Sequence, residues 1–273
     1  MAEFEVRHIL VACDTDSEPA SAIETAVRLA AKLDATLHGV FVEDQRLLHV
    51  AAFPFARQVN LSTGSSEELD TESVEKHFQR LSGQARDALK AAARRHGVDW
   101  TFSTVRAHRS AASLLREPSD LLIVSARTRP ISGDWRPTSR LIELLYGITA
   151  PVLMLRGGSA EQGPVIALIE TAFAEAKRLL NAGALLASAS GRLLQIQIST
   201  ELCREQDVRA WLYEFSPALI PRSRIQRTVS TDAADLRIAD DALVVIDANP
   251  RVNDERRLRE LAAKTRADLL LVR

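Results

Sequence analysis

Short apolar runs alternate along the chain with longer stretches in which apolar residues recur every three or four positions. Such runs are typical of strands buried on both faces, and such stretches are typical of helices with one buried face. In the first half, strands are predicted at residues 8–13, 36–42, 100–105, 120–125 and 151–155. Helices are predicted around residues 23–30, 71–96 and 139–146. Strands that alternate with helices in this way predict a parallel sheet with right-handed crossovers.

The second half of the chain repeats the pattern of the first. A gapless alignment of the two halves matches the first strand, the first helix and the second strand of one half with those of the other. A second gapless alignment, with a different offset, matches their final strands. The matching positions include Ile9 with Val165, Ala26 with Ala182, Leu37 with Leu193, and Ala150 with Ala267. The second copy is shorter, with a helix predicted at 205–215 and strands at 225–229 and 242–246. We therefore predict an α/β protein with one domain at 1–156, a linker at 157–163 and a shortened second domain at 164–273.

The composition is that of a globular protein without a strongly charged surface. Hydrophobic residues make up 46% of the chain, charged residues 26%, and the net charge is −1. This balance does not favour binding to nucleic acid or to an anionic membrane, both of which need a basic surface. Cys13 and Cys203 have no CxxC partner, which does not favour a disulfide framework or structural zinc. With no secretory signal and no apolar run of membrane-spanning length, we expect a cytoplasmic protein without membrane insertion.

The opening of the chain resembles the universal stress protein family. The resemblance rests on the strand His8-Ile-Leu-Val-Ala-Cys-Asp14, on the alanine-rich helix after it, and on the second strand at 36–42. Residues 120–125 and 150–156 resemble the fourth and fifth strands of that family. The resemblance implies two doubly wound five-stranded parallel sheets, each with strand order 3-2-1-4-5, as in adenine nucleotide α-hydrolase-like folds. It also implies an intramolecular pseudo-dimer joined through the fifth strands.

In nucleotide-binding members of this family, the ligand lies in the crevice between the first and fourth strands, at their carboxyl ends. An Asp after the first strand holds the adenosine, and a glycine-rich loop after the fourth strand holds the phosphates. The implied cofactor is ATP or AMP, with Mg²⁺. Carried over to this sequence, the crevice of the first domain is lined by Ala12, Asp14, Val40, Ser125, Arg127, Thr128, Thr138 and Ser139.

The phosphate loop of the first copy lacks the glycines of the family pattern. Ser125, Thr128 and Thr138 stand at the three glycine positions, and only the final Ser139 is retained. Glycine allows left-handed backbone conformations, and each added Cβ costs about 1–2 kcal/mol where such a conformation is required. We therefore expect nucleotide binding in the first domain to be weakened or lost.

Several features of the first copy have two interpretations. Asp14 either contacts a nucleoside or caps the helix that follows, and Ser139 either binds phosphate or caps its own helix. Arg127 and its neighbouring arginines either replace the lost backbone donors or belong to a solvated loop. The apolar segment 47–56 either covers its own domain or presents a hydrophobic surface to a partner.

The second copy departs further from the nucleotide-binding pattern, and neither copy carries a catalytic motif. Glu170 replaces the Asp, and residues 247–254 contain no glycine, so we expect the second site to be non-functional. The 6 histidines lack metal-ligand spacing, and there is no GxSxG or GxxxxGK[ST] sequence. We predict no catalytic residues, no metal site and no enzyme activity. The expected function is a stress-response module that acts through a protein partner or self-association, with adenine-nucleotide sensing as the alternative.

Overall fold

The structure is a computed structural model. It describes residues 5–14, 19–59, 63–107, 121–125, 150–156, 163–228, 238–249 and 265–272. The helix predicted at 139–146 lies outside these residues. The proposed domain boundaries at 156 and 163 stay a prediction.

The first half of the chain contains seven described strands and three described helices. It begins with β1 (His8–Cys13), α1 (Pro19–Leu33), β2 (Thr36–Asp44) and α2 (Gln45–Ala51). A hairpin of β3 (Arg57–Val59) and β4 (Ser66–Glu68) leads into α3 (Thr71–His96). The half ends with β5 (Trp100–Ala107), β6 (Leu121–Ser125) and β7 (Val152–Leu155).

The described part of the second half is shorter between its second and third strands. It contains β8 (Val165–Ile169), α4 (Phe173–Ser190), β9 (Leu194–Ile198) and α5 (Glu205–Phe215). A 3-10 helix (Pro217–Arg222) then leads to β10 (Ser223–Arg227), β11 (Leu243–Asp247) and β12 (Asp268–Val272). β10 begins two residues before the predicted strand at 225–229, whereas the helix predicted at 205–215 is confirmed.

Helix α3 shows why some elements could be located from sequence. A carboxylate oxygen of Asp70 accepts the Ser73 backbone N–H at 2.7 Å, which caps the helix at its first turn. Gly97 ends the helix in the left-handed region at φ 66°. Asp70 and Gly97 are residue types that commonly begin and end helices, and the predicted span of 71–96 is confirmed.

The ten long strands form one continuous sheet with the order β10-β9-β8-β11-β12-β7-β6-β1-β2-β5. When the separate β3–β4 hairpin is not counted, each half therefore has the strand order 3-2-1-4-5. All described pairings within a half of this sheet are parallel, whereas β7 and β12 pair antiparallel. These are the fifth strands of the two halves, and they join the halves into a single sheet rather than two separate ones.

The joint between the halves is symmetric at the level of single residues. Leu153 pairs with Leu270, and the flanking pairs are Met154 with Leu269 and Val152 with Leu271. The pairings of β7 with β6 and of β12 with β11 make Val152 equivalent to Leu269. A pseudo-twofold axis therefore passes between Leu153 and Leu270, and the contact is isologous, as in a twofold symmetric dimer.

Strand pairing corrects the sequence alignment of the two copies by one residue. Ile9 pairs with Leu37, and the equivalent Val165 pairs with Leu194, not with Leu193. The second copy therefore contains one additional residue between its first and second strands. Because side chains alternate between the faces of a strand, this shift decides which residues of β9 face each side of the sheet.

The two faces of the sheet carry separate hydrophobic clusters. One cluster combines buried side chains of α1, α3, α4 and α5 with alternate residues of the strands of both halves. The other contains Leu10, Val40 and Val124 in the first half, together with Ile166 and Ile246 in the second. Both clusters include residues of both halves, so the core is continuous across the joint.

A polar contact occurs at one end of the joint. The Arg156 backbone N–H, just after β7, donates to a carboxylate oxygen of the buried Asp268 at 2.7 Å. The Arg156 guanidinium donates to the carbonyl oxygen of Thr265. Burial lowers the pKa of Arg156 to about 10, and the nearby Asp268 charge acts in the opposite direction. At the position of the first half that is equivalent to Asp268 stands Pro151, so this contact is not repeated by the pseudo-twofold axis.

Candidate functional site

The winding of each half reverses between its first and fourth strands, where α/β sheets open a crevice at their carboxyl ends. In the first half these strands are β1 and β6, which are neighbours in the sheet. Asp14 follows β1 directly and Ser125 ends β6, and both are half-buried. The structure therefore brings these two predicted site residues to the same edge. We call the region around them the first crevice.

The other two described residues of the predicted site lie in one row across the sheet. Ala12 of β1 pairs with Val40 of β2 on one side and with Val124 of β6 on the other. All three side chains belong to, or pack against, the hydrophobic cluster of the second face. The first crevice thus has a small apolar floor, with hydroxyl and carboxylate groups beyond it.

The remaining predicted site residues, Arg127, Thr128, Thr138 and Ser139, lie outside the described residues. So do residues 15–18, between Asp14 and α1. Whether Asp14 caps that helix, and whether the loop after β6 could hold phosphates, stay predictions.

Cys13 lies beside Asp14 but is not suited to nucleophilic chemistry. Burial and, to a smaller extent, the negative charge of Asp14 together raise the pKa of the Cys13 thiol to about 12. The thiol therefore stays protonated near neutral pH, and the thiolate that would act as a nucleophile is not formed.

An ion-pair cluster that the sequence analysis missed lies at the same edge of the sheet. The Arg106 guanidinium at the end of β5 donates to Glu43 at 2.6 Å and to Glu75 at 2.9 Å. Glu43 is buried, and its bond to Arg106 is the largest cause of the raised pKa of that guanidinium. The cluster ties β2, β5 and α3 together. The signal in the sequence is an acid and a base, Glu43 and Arg106, each next to the last residue of its strand, and the two residues pair across β2 and β5.

In the second half, different side chains stand at the positions of the first crevice. Val165 pairs with Leu194 and Leu243, as Ile9 pairs with Leu37 and Leu121. Counting along the strands, the four counterparts of Ala12, Asp14, Val40 and Ser125 are Leu168, Glu170, Gln197 and Asp247. We call the region around these four residues the second crevice.

The second crevice is filled and acidic. Leu168 and Gln197 are both buried, and both are larger than the residues that they replace. Among the described residues, no group hydrogen-bonds to the buried Gln197 side-chain oxygen. Burial raises the pKa of Asp247, and Glu175 raises it further, whereas the Asn249 backbone N–H lowers it by donating at 2.8 Å. Two carboxylates at this edge would repel the phosphates of a nucleotide.

The apolar segment 47–56 has a part that packs against its own half and a part that is exposed. Leu47 and Leu48 of α2 pack against the core, and Ala51 is buried, so the helix covers its own half. The residues after α2 turn outward: Phe53 is 56% exposed and Phe55 is 79% exposed. Their rings stack with centroids 5.9 Å apart and planes 22° apart.

Backbone hydrogen bonds hold these exposed rings in place. The Ala56 N–H donates to the Phe53 carbonyl oxygen, and the Leu69 N–H donates to the Ala56 carbonyl oxygen, both at 3.0 Å. Val50 of α2 and Val59 of the hairpin are also exposed. We call Val50, Phe53, Phe55 and Val59 the aromatic patch. It lies at the end of α2 and in the residues after it, and α2 begins at the carboxyl end of β2.

The described residues contain no cluster of three or more His, Cys, Asp or Glu side chains that could hold a metal ion. None of the described helices has the length and apolar composition needed to cross a bilayer.

Comparison with known proteins supports the resemblance seen in the sequence. Residues 5–117 match the model of the universal stress protein family. Among curated proteins, none matches this chain.

Solved structures share the fold of the whole chain at low sequence identity. A universal stress protein from Archaeoglobus fulgidus DSM 4304 gives a TM-score of 0.64 at 11% identity, covering 99% of this chain and 97% of its own. A functionally unknown protein from Pseudomonas aeruginosa PAO1 gives 0.59 at 15% identity, covering 99% and 93%. The cytoplasmic domain of a prokaryotic cation chloride cotransporter gives 0.54 at 13% identity, covering 97% and 95%. At these identities, the likeness concerns the fold alone.

Proposed function

Because residues 5–117 match the universal stress protein family and the whole chain shares the fold of a solved universal stress protein, we propose that this protein is a non-catalytic stress-response module that binds a protein partner. The observation that carries the proposal is the aromatic patch. Exposed aromatic rings held on a hydrogen-bonded platform cost little conformational entropy on binding, and contiguous apolar patches mark interaction sites. The partner is a protein with an apolar surface, or a second copy of this chain.

Weak or absent nucleotide binding is the second part of the proposal. In the second crevice, Leu168 and Gln197 occupy the floor, and Glu170 and Asp247 place negative charge where phosphates would lie. In the first crevice the floor is small, but the sequence after Ser125 lacks the glycines that a phosphate loop needs. The chain therefore retains the fold of a nucleotide site without its phosphate-binding chemistry.

A thermal-shift titration with ATP and Mg²⁺ tests nucleotide binding. A ligand at 100 times its Kd stabilises the native state by about 2.7 kcal/mol, so a functional site raises the melting temperature clearly. We expect no shift up to millimolar nucleotide. A shift that disappears in Asp14→Ala would instead support the alternative function, an adenine-nucleotide sensor. That alternative draws on the position of Asp14 and Ser125 at adjacent strand ends.

Partner binding is tested with a double variant of the aromatic patch. Phe53→Ser/Phe55→Ser should remove bound partner in quantitative affinity capture, or convert a self-associating protein to a monomer in sedimentation velocity. The matched control is Leu202→Ser, since Leu202 is an equally exposed apolar residue away from the patch. If the double variant and the control behave like the wild-type protein in both measurements, the patch is not a binding surface.

A further inference from the structure

The ten-stranded sheet ends in two edge strands, β10 and β5, and a groove lies beside β10. β10 pairs with β9, and it pairs with no other described strand. The Thr228 N–H donates to the Ile198 carbonyl oxygen at 3.0 Å. The backbone N–H and carbonyl groups of successive strand residues point in opposite directions. Those of Arg224 and Gln226 therefore point toward β9, as those of Thr228 do.

Ile225 and Arg227 therefore direct their backbone N–H and carbonyl groups toward the free side of β10. The backbone groups of Ser223 also point toward the free side, but its N–H donates to the Ile220 carbonyl oxygen of the 3-10 helix. No described residue bonds to the backbone groups of Ile225 or Arg227. An edge of this kind is a template for pairing with another extended segment.

A groove of about 330 Å³ runs beside this edge. Leu212 and Ile225 give it an apolar floor, and Tyr213, which is 65% exposed, gives it an aromatic wall. The other residues that line it are Arg209, Ile220, Ser223, Arg224 and Gln226. An apolar groove beside a strand edge provides the two components of β-strand addition: main-chain pairing and a pocket for alternate side chains.

The charge of this edge decides what can pair with it. Residues 222–227 contain Arg222, Arg224 and Arg227 and no acidic residue. The Arg227 guanidinium is engaged with the Cys203 carbonyl oxygen at 2.9 Å, whereas Arg224 is exposed at the groove. Two copies of β10 pairing with each other would bring together the four arginines of the two strands and the two flanking Arg222 residues, which disfavours self-association through this edge.

The opposite edge of the sheet differs from β10 in charge. On β5, Trp100 and Phe102 pack against the core, and Arg106 is neutralised by Glu43 and Glu75.

We propose that β10 is a docking edge for an extended acidic peptide segment of a partner protein. The segment adds a strand through the backbone groups of Ile225 and Arg227, places an apolar side chain in the groove, and sets a carboxylate against Arg224. This goes beyond the proposed function, because it uses a surface separate from the aromatic patch and gives the class of its partner.

The test is an array of seven-residue peptides that differ in charge and in apolar content, followed by fluorescence anisotropy on the strongest binder. Acidic peptides with alternating apolar residues should bind, and their affinity should fall as salt rises. Ile225→Pro should weaken binding at least tenfold, because proline removes the outward N–H while leaving the pairing with β9 intact. Arg224→Glu should weaken it by a similar factor.

Controls separate the contributions to binding. Ile225→Ala keeps the backbone donor, so it should bind more tightly than Ile225→Pro. Arg86→Glu changes the net charge as Arg224→Glu does, but on the exposed surface of α3, and should leave binding unchanged. The Phe53→Ser/Phe55→Ser variant should also bind normally, so that this proposal and the aromatic-patch proposal can fail separately.

Three results would overturn the proposal. The first is that no acidic peptide binds at millimolar concentration. The second is that lysine-containing peptides bind as well as acidic ones, or that Arg86→Glu weakens binding as much as Arg224→Glu. The third is self-association of the wild-type protein that Ile225→Pro abolishes, which would make the occupant a second copy of the chain.

Discussion

The two crevices have the same arrangement of strands but different side chains at the equivalent positions. Strand pairing places Ala12, Val40 and Ser125 of the first crevice at the positions of Leu168, Gln197 and Asp247 in the second. The strand order and the fifth-strand joint are unchanged between the halves. The scaffold thus depends on the apolar rows of the strands, whereas the residues at the strand ends are free to change. Substitutions can test this division at the joint, at the crevice floor and at the strand ends.

The largest expected effect is at the symmetric centre of the joint. Leu153→Ala and Leu270→Ala should each cost about 2–5 kcal/mol of unfolding free energy, since both side chains are buried and each leaves a cavity. Because the two residues face each other across the pseudo-twofold axis, their costs should agree closely. Urea unfolding measures both. A large cost for one and a negligible cost for the other would show that the joint is not symmetric in energy.

A smaller effect is expected where the joint is asymmetric. Asp268→Ala leaves the Arg156 N–H without this acceptor and removes the negative charge near the buried guanidinium. A buried donor left unsatisfied costs about 1–3 kcal/mol, so the midpoint of urea unfolding should fall accordingly. Asp240→Ala, at an exposed position, is the control and should change little. An equal loss in both variants would contradict a role for Asp268 at the joint.

Exchange of the equivalent floor residues should have opposite effects in the two crevices. Gln197→Val removes a buried oxygen without a described partner and should stabilise the protein by about 1 kcal/mol. Val40→Gln buries a polar group in the first crevice and should destabilise it by about 1–3 kcal/mol. Calorimetric melting of both variants measures the pair. Loss of stability in Gln197→Val would mean that the side-chain oxygen of Gln197 accepts a hydrogen bond in solution.

The smallest effect concerns the acid at the end of β11. Burial raises the pKa of Asp247 above that of the unfolded chain, so the native state favours the protonated carboxyl. Its contribution to stability is therefore present below the ordinary pKa of Asp and is lost as the pH rises through the raised value. Asp247→Asn should stabilise the protein at neutral pH by less than about 1 kcal/mol, since the group is half-exposed.

This gain should shrink as the pH is lowered through the raised pKa of Asp247, because the wild-type carboxyl then becomes protonated. Urea unfolding at several pH values gives the profile. Asp240→Asn serves as the exposed control and should show no such dependence. A gain for Asp247→Asn that stays constant with pH would contradict the assignment.

The scaffold could be predicted from sequence further than the site could. Apolar runs and helix ends are local signals, which is why the predicted span 71–96 agrees with α3, which Gly97 ends. The short helix α2 was not predicted, since only Ala51 among its seven residues is buried and its pattern is too brief to show a period. β10 was placed two residues late because an exposed, polar edge strand has little alternation to fix its ends.

The second crevice was the part that sequence comparison could not resolve. A gapless alignment sets Ile196 against Val40, and Ile196 is an apolar residue whose side chain lies on the opposite face of β9. Strand pairing sets Gln197 there instead. A single inserted residue exchanges the faces of a strand, and the trace that it leaves in the sequence is the alternation of Leu194, Ile196 and Ile198 with Gln195 and Gln197. The loop residues Arg127 to Ser139 fall outside the described structure, so their roles stay predictions.

The contact of Arg156 with Asp268 has a consequence for how such a protein can evolve. In a dimer of identical subunits every substitution occurs twice, so a favourable contact on one side of the axis brings its copy on the other. Here the symmetric position holds Pro151, and the contact occurs once. Linking both halves in a single gene product releases them from this duplication, so that the two crevices can change independently.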